Sequence, residues 1–150
     1  MNGSVASFLY FAYGRHLDEA ALQGLCVGSE LLCLAKLEGH GLAVASHGGL
    51  TVRPAPGESV WGAVWLVPAT FLPALDAFHG VAAGRYEQTS RRILTPAGPR
   101  VESTIYLTPQ PGEPPAQVDR ATLREIAAAA RAIGLSPAAV ARIERCGKAK

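Results

Sequence analysis

Charge is scarce in this 150-residue chain: 17% of its residues are Asp, Glu, Lys or Arg, and 14 basic against 12 acidic side chains leave a formal net charge of +2. So small and scattered a basic excess makes no nucleic-acid surface, and a small-molecule partner is expected instead. Cysteine is scarce too. Cys26, Cys33 and Cys146 form no CxxC pair, and their odd number argues against a disulfide framework and for a reducing compartment. Long apolar runs are missing: the longest, residues 62–75, is short and broken by Pro68 and Pro73, so no membrane span is expected. The opening MNGSVASFLYFAYG lacks the basic segment of a secretory leader, which points to a cytoplasmic protein.

What the chain does have is 49% hydrophobic residues, enough for one compact domain over residues 1–150 with a well-filled core, and it contains no internal repeat. Phe8 to Tyr13 has the aromatic density of a buried strand, ended by Gly14. Asp18 can cap a short helix, DEAALQGLC, to Cys26. SELLCLAKLEG, GLAVAS and GLTVRPA, separated by Gly39, Gly41 and Gly48-Gly49, read as successive strands up to Ala55, and Val60 to Val67 as another. Thr70 is the expected N-cap of a helix over FLPALDAFHG, with Pro73 in its first turn, His79 at its end and Gly80 beyond.

Tyr86 to Leu94 and Val101 to Leu107 form an expected hairpin through Pro96–Pro99. After the proline-rich PQPGEPPAQ come a helix from Val118 to Gly134 and another restarted by Ser136-Pro137. Strands first and helices last predict an α+β fold with a mainly antiparallel sheet or closed barrel.

FLYFAYGRHL, VWGAVWLV, LDAFHGVAAGRYEQ and a proline-rich segment followed by GLSPAAVARI stand in the order found in the gamma-glutamylcyclotransferase family, which the chain resembles over nearly its whole length. The resemblance implies a small β-barrel with flanking helices and, in active members, attack of a substrate's alpha-amine on its own gamma-carbonyl, releasing 5-oxoproline and a free amine. It assigns substrate binding to the YGSNL-type loop, here Tyr13, Gly14, Arg15, His16 and Leu17, and to Tyr86 of the GxY element. It also marks a departure. The family's LDxxEG glutamate, its general base and acid, is here His79, and the loop's usual serine and asparagine are Arg15 and His16.

Each of these residues has a functional and a plainer structural use. An imidazole at position 79 can take and give protons near neutrality, but it supplies no counter-charge to an alpha-ammonium. Asp76, one helical turn earlier, can orient that imidazole, although the same aspartate accompanies the family's glutamate. The end of a helix dipole would raise the pKa of His79 and apolar surroundings would lower it. Arg15 can clamp an anionic substrate or pair outward with Asp18 or Glu19. His16 can line the pocket or serve as a locally bonded turn residue. Tyr10, Phe11, Trp61 and Trp65 read as core or pocket wall. No metal cluster emerges among His16, His40, His47 and His79, and no cofactor is expected.

Two functions remain open: a divergent cyclotransferase-like enzyme for a specialised small substrate, anionic or gamma-glutamyl, performing amide cleavage or a related cyclisation or isomerisation with His79, or an inactive member that binds a ligand or protein. The oligomeric state is left open by the sequence.

Overall fold

In the computed structural model, described over residues 6–45, 47–109 and 119–146, five strands close into a barrel in the order β1-β3-β2-β4-β5. The strands are β1 (Ser7–Ala12), β2 (Glu30–Val44), β3 (Leu50–Pro68), β4 (Glu87–Leu94) and β5 (Arg100–Leu107). Every neighbouring pair is antiparallel except β1 and β5, which meet in parallel at Tyr10 and Thr104. The helices are α1 (Glu19–Leu25), α2 (Leu72–Phe78), α3 (Arg120–Ile133) and α4 (Pro137–Arg145). The expected mainly antiparallel barrel with flanking helices is what the chain forms. Among the described residues, no helix is long and apolar enough to cross a membrane.

Phe11, Val64, Trp65, Ile93, Ile105 and Tyr106 are buried, and since neighbours such as Val64 and Trp65 or Ile105 and Tyr106, whose side chains point to opposite faces, are both buried, these strands are covered on both faces. Leu123, Ile126, Ala127 and Ala130 of α3 join them, together with Val140 and Ile143 of α4. Asp119 caps α3 by accepting from Thr122 N–H, Gly134 ends it in the left-handed region at φ 106°, and Ser136 caps α4.

The glycine-separated segments expected as separate strands are instead two long ones. β2 runs straight through Gly39 and Gly41, and β3 through the interval between Ala55 and Val60. Their ladder shifts where Glu38 faces Ser59 and His40 faces Pro54, so residues 55–58 bulge outward, and Gly39 (φ 73°) and Gly57 (φ 84°) supply the left-handed backbone. Continuous ladder bonds on both sides outweigh the local breakers. Beyond the bulge the hairpin tip carries His47, Gly48 and Gly49 back over the barrel end, held where Thr108 N–H donates to Thr51 Oγ1 at 2.9 Å.

Thr70 caps nothing: it lies in a 3-10 turn, Ala69–Phe71, and α2 starts with no side-chain cap and Pro73 in its first turn. Most of the proline-rich PQPGEPPAQ, and the first residue of the helix expected from Val118, lie outside the described residues.

Candidate functional site

The opening aromatic run ends where β1 leaves the barrel, and the next four residues are fixed from several sides. Tyr13 donates its hydroxyl to the Tyr106 carbonyl, and Trp65 Nε1 donates to the His16 carbonyl at 3.0 Å. Arg15–Leu17 form one 3-10 turn closed by Leu17 N–H to Gly14 O, and Asp18 accepts from Ala20 N–H to begin α1. Among the described residues, the N–H groups of Arg15 and His16 have no acceptor. They stand at the start of a turn, where unpaired N–H groups can receive an anion or a carbonyl.

His79 arrives from the opposite side at the end of α2. Gly80, at φ 66°, closes the helix with paired bonds, Gly80 N–H to Ala77 O and Val81 N–H to Asp76 O, both 3.1 Å. This left-handed cap makes the chain leave the helix at once and fixes where the imidazole projects.

The two segments meet at Tyr10. Its hydroxyl lies 2.8 Å from His16 Nδ1 and 3.1 Å from His79 Nε2, so one buried phenol bridges both imidazoles. Tyr106 stacks on His79 with ring centroids 4.1 Å apart and planes 17° from parallel, and Phe78 covers His16 at 4.5 Å. Burial sets the protonation. His16 is 3% exposed and pushed down to about 4, first by desolvation and then by the Arg15 charge, with Asp18 opposing. His79 falls to about 3, again first by desolvation, then by His16, against a smaller upward pull from Asp76. Burial therefore overrides the helix dipole at His79, and both rings are neutral at pH 7. Desolvation also raises Tyr10 well above the usual phenol range and Tyr86 to about 12.

These groups face a cavity of about 530 Å³, a volume suited to a small molecule. Its wall includes Tyr10, Tyr13, Gly14, Arg15, His16, His79 and Tyr86, together with parts of the site that sequence reasoning missed: the tip His47-Gly48-Gly49, Arg85, Tyr106, and Asp119, Thr122 and Ile126 of α3. A functional use of Arg85 was legible, since it sits inside the GxY element. The contribution of α3 was not, because it depends on how the helices return over the barrel. No group of three or more His, Cys, Asp or Glu among the described residues is placed to hold a metal ion.

Two expected site residues fall elsewhere. Leu17 is 1% exposed and packs in the core, so it anchors the loop and does not line the cavity. Asp76 also lies outside the wall: its Oδ1 accepts from Tyr106 at 2.6 Å and Gln88 at 2.8 Å, and no hydrogen bond joins it to His79. Its charge still acts on His79 across space, and its hydrogen bond holds Tyr106, whose ring stacks on that imidazole. Tyr86 lines the wall, but its hydroxyl donates to the Leu50 carbonyl at 2.6 Å rather than into the cavity. Arg15 turns toward α3, bonding Thr122 Oγ1 at 3.3 Å and pairing with Glu125 at 3.7 Å, not with Asp18 or Glu19.

The model of the AIG2-like family matches residues 59–143, more than half of the chain. A human gamma-glutamylcyclotransferase is 32% identical over 111 residues, covering 67% of this chain and 59% of its own length. The mouse protein of that name is 30% identical over the same shares. The chain thus matches less than two thirds of the length of these curated relatives. A solved structure described as a gamma-glutamyl cyclotransferase superposes with a TM-score of 0.86 at 25% identity, over 97% of this chain and 90% of that one. That of YkqA from Bacillus subtilis shares the fold, with a TM-score of 0.78 at 20% identity over 93% of this chain and 53% of its own.

Proposed function

The chain belongs to the AIG2-like, gamma-glutamylcyclotransferase-like family, and from that premise we propose that it is a cyclotransferase-type enzyme whose acid/base residue is His79. The substrate's gamma-glutamyl portion rests against the Tyr13–His16 loop, whose free N–H groups receive its oxygen atoms. The substrate's alpha-amine attacks the gamma-carbonyl, the C–N bond to the leaving amine breaks, and a proton lost by the attacking nitrogen ends on the leaving one. The products are 5-oxoproline and a free amine, and no water is consumed. One observation carries this reading: the residue at the position of the family's glutamate opens into the same cavity as the loop, with its ring fixed by Tyr10 and Tyr106. A group held in place for proton transfer contributes about 100-fold or more to rate.

The substrate is a specialised one. A neutral imidazole attracts an alpha-ammonium far less than a carboxylate does, so the preferred molecule presents its amine uncharged and carries an anionic group toward Arg15. We place this activity in one domain over residues 1–150, acting in the cytoplasm. A second reading, an inactive member that binds a ligand or protein partner, is favoured by the same loss of the carboxylate.

Mass spectrometry for 5-oxoproline, after incubation of the protein with a panel of gamma-glutamyl amides, separates the two. Turnover that disappears in folded His79→Ala supports the enzyme with His79 as its acid/base. Turnover unchanged in that variant overturns the role of His79. Release by His79→Glu alone means that the loop still binds gamma-glutamyl groups and that the native protein is a binder or catalyses another reaction.

A further inference from the structure

Tyr10 has one hydroxyl proton and two imidazole neighbours. A phenol donates once, and a neutral imidazole carries one N–H and one lone pair. With both rings neutral, the two contacts at 2.8 and 3.1 Å are both hydrogen bonds only if Tyr10 donates to one histidine and accepts from the other. In one arrangement His79 Nε2–H donates to Tyr10, Tyr10 donates to His16 Nδ1, and His16 carries its proton on Nε2. In the other every bond runs the opposite way, and His79 carries its proton on Nδ1.

Among the described residues, the outer nitrogens, His79 Nδ1 and His16 Nε2, have no hydrogen-bond partner, yet no buried side-chain nitrogen or oxygen there is unsatisfied. Both therefore remain accessible, and both rings line the cavity. Either arrangement thus offers the cavity one bare nitrogen and one N–H.

We propose that Tyr10 couples His16 and His79 into a single acid–base unit that accepts a proton at one ring and releases one from the other, with neither ring becoming a full imidazolium. The inference rests on the cyclotransferase reading for its chemistry. The attacking alpha-amine gives a proton to His79 Nδ1. The proton of His79 Nε2 passes to the Tyr10 oxygen, the Tyr10 proton to His16 Nδ1, and the proton of His16 Nε2 to the leaving amine as its C–N bond breaks. Each group gains one proton and loses one, and the unit ends in its opposite arrangement. Exchange of protons with water at the two outer nitrogens resets it. Rings that resist becoming cations in this apolar setting can act in this way, whereas a lone imidazole would have to hold the charge. Of the three positions where the loop and helix motifs depart from the family, Arg15, His16 and His79, the two histidines meet at this one hydroxyl. Tyr10 is the positioning residue, and the histidines are the groups that would touch substrate.

The test is long-range proton–nitrogen NMR of the 15N-labelled chain at pH 7, with no ligand. The fraction of His79 protonated on Nδ1 and the fraction of His16 protonated on Nε2 are expected to sum to one, and Tyr10→Phe is expected to break that sum. An imidazolium on either ring, or both outer nitrogens protonated or both bare in the native protein, overturns the coupling. These native spectra decide the matter even if Tyr10→Phe does not fold. With whichever gamma-glutamyl amide releases 5-oxoproline, Tyr10→Phe should lose about 100-fold in kcat with KM little changed. An undiminished kcat overturns the transfer through Tyr10. If the native protein turns over no gamma-glutamyl amide while its tautomers are coupled, the cyclotransferase reading fails and the coupled unit stands.

Discussion

Lowering the pH from 8 to 5 should destabilise this protein through two residues. His16 and His79 have native pKa values of about 4 and about 3, against 6.5 for a solvated histidine. Below pH 6.5 the unfolded chain binds a proton at each position and the native one does not, so unfolding takes up protons and stability falls with pH. At pH 5 both native values still lie below the solution pH, and the loss is set almost wholly by the unfolded value: about 2 kcal/mol for each histidine, about 4 together. In a chain of this size that lowers Tm by roughly 8–16 °C. Thermal unfolding followed by circular dichroism at pH 8, 6.5, 5.5 and 5 measures it, and His79→Gln should remove about half of the drop. A Tm constant to within about 2 °C over the range, or an undiminished slope in the variant, would refute the argument that burial holds both rings neutral.

Two further outcomes test the cavity wall. Arg15→Ala removes an exposed pair with Glu125, side chains 53% and 71% accessible, so stability should change by less than about 1 kcal/mol in a urea titration. Its KM for an anionic substrate should rise about tenfold, and an unchanged KM would place Arg15 outside recognition. Gly49→Ala puts a methyl group against the Tyr86 hydroxyl and the His47 ring, displacing the bond from Tyr86 to Leu50. The expected cost is about 1–3 kcal/mol, and an unmoved urea midpoint would mean that the hairpin tip does not pack against Tyr86 as described.

The elements that the sequence revealed are those whose signals are local. Asp18 and Ser136 cap the helices they were expected to cap, and Gly80 and Gly134 end theirs with left-handed backbone. Strand continuity was misjudged at Gly39, Gly41 and residues 55–58, because ladder bonds from a distant partner override a local breaker and a bulge absorbs the mismatch. The loop from Tyr13 to His16 and His79 were legible as candidates, and they do share a cavity. Leu17 was read as part of the binding surface because motif membership does not tell which side of a turn a residue faces. Asp76 was read as a partner of His79 from helical spacing alone, and the competing acceptor role toward Tyr106 and Gln88 involves residues from β4 and β5. Tyr10 was read as core or pocket wall, and it does line the cavity, but only closure of the barrel brings positions 10, 16 and 79 together.

Replacing a carboxylate by an imidazole alters the site's charge more than its shape. Asp119 is the one acidic side chain among the described residues of the cavity wall, and its Oδ2 is already engaged by Thr122 at the start of α3. Arg15 and Arg85 also line the wall, and no carboxylate among the described residues pairs with Arg85. Such a wall favours molecules with negative charge and gives an ammonium group little reason to enter. Under the proposed reading, a carboxylate base would hold the attacking amine in its protonated form until the moment of reaction, whereas the neutral pair bridged by a phenol would select the amine that is already free. Under the proposed reading, the exchange at position 79 moves a step of the chemistry from catalysis to binding: substrates whose amine is weakly basic lose least, and rate on an ordinary gamma-glutamyl amide should rise with pH as its alpha-ammonium deprotonates.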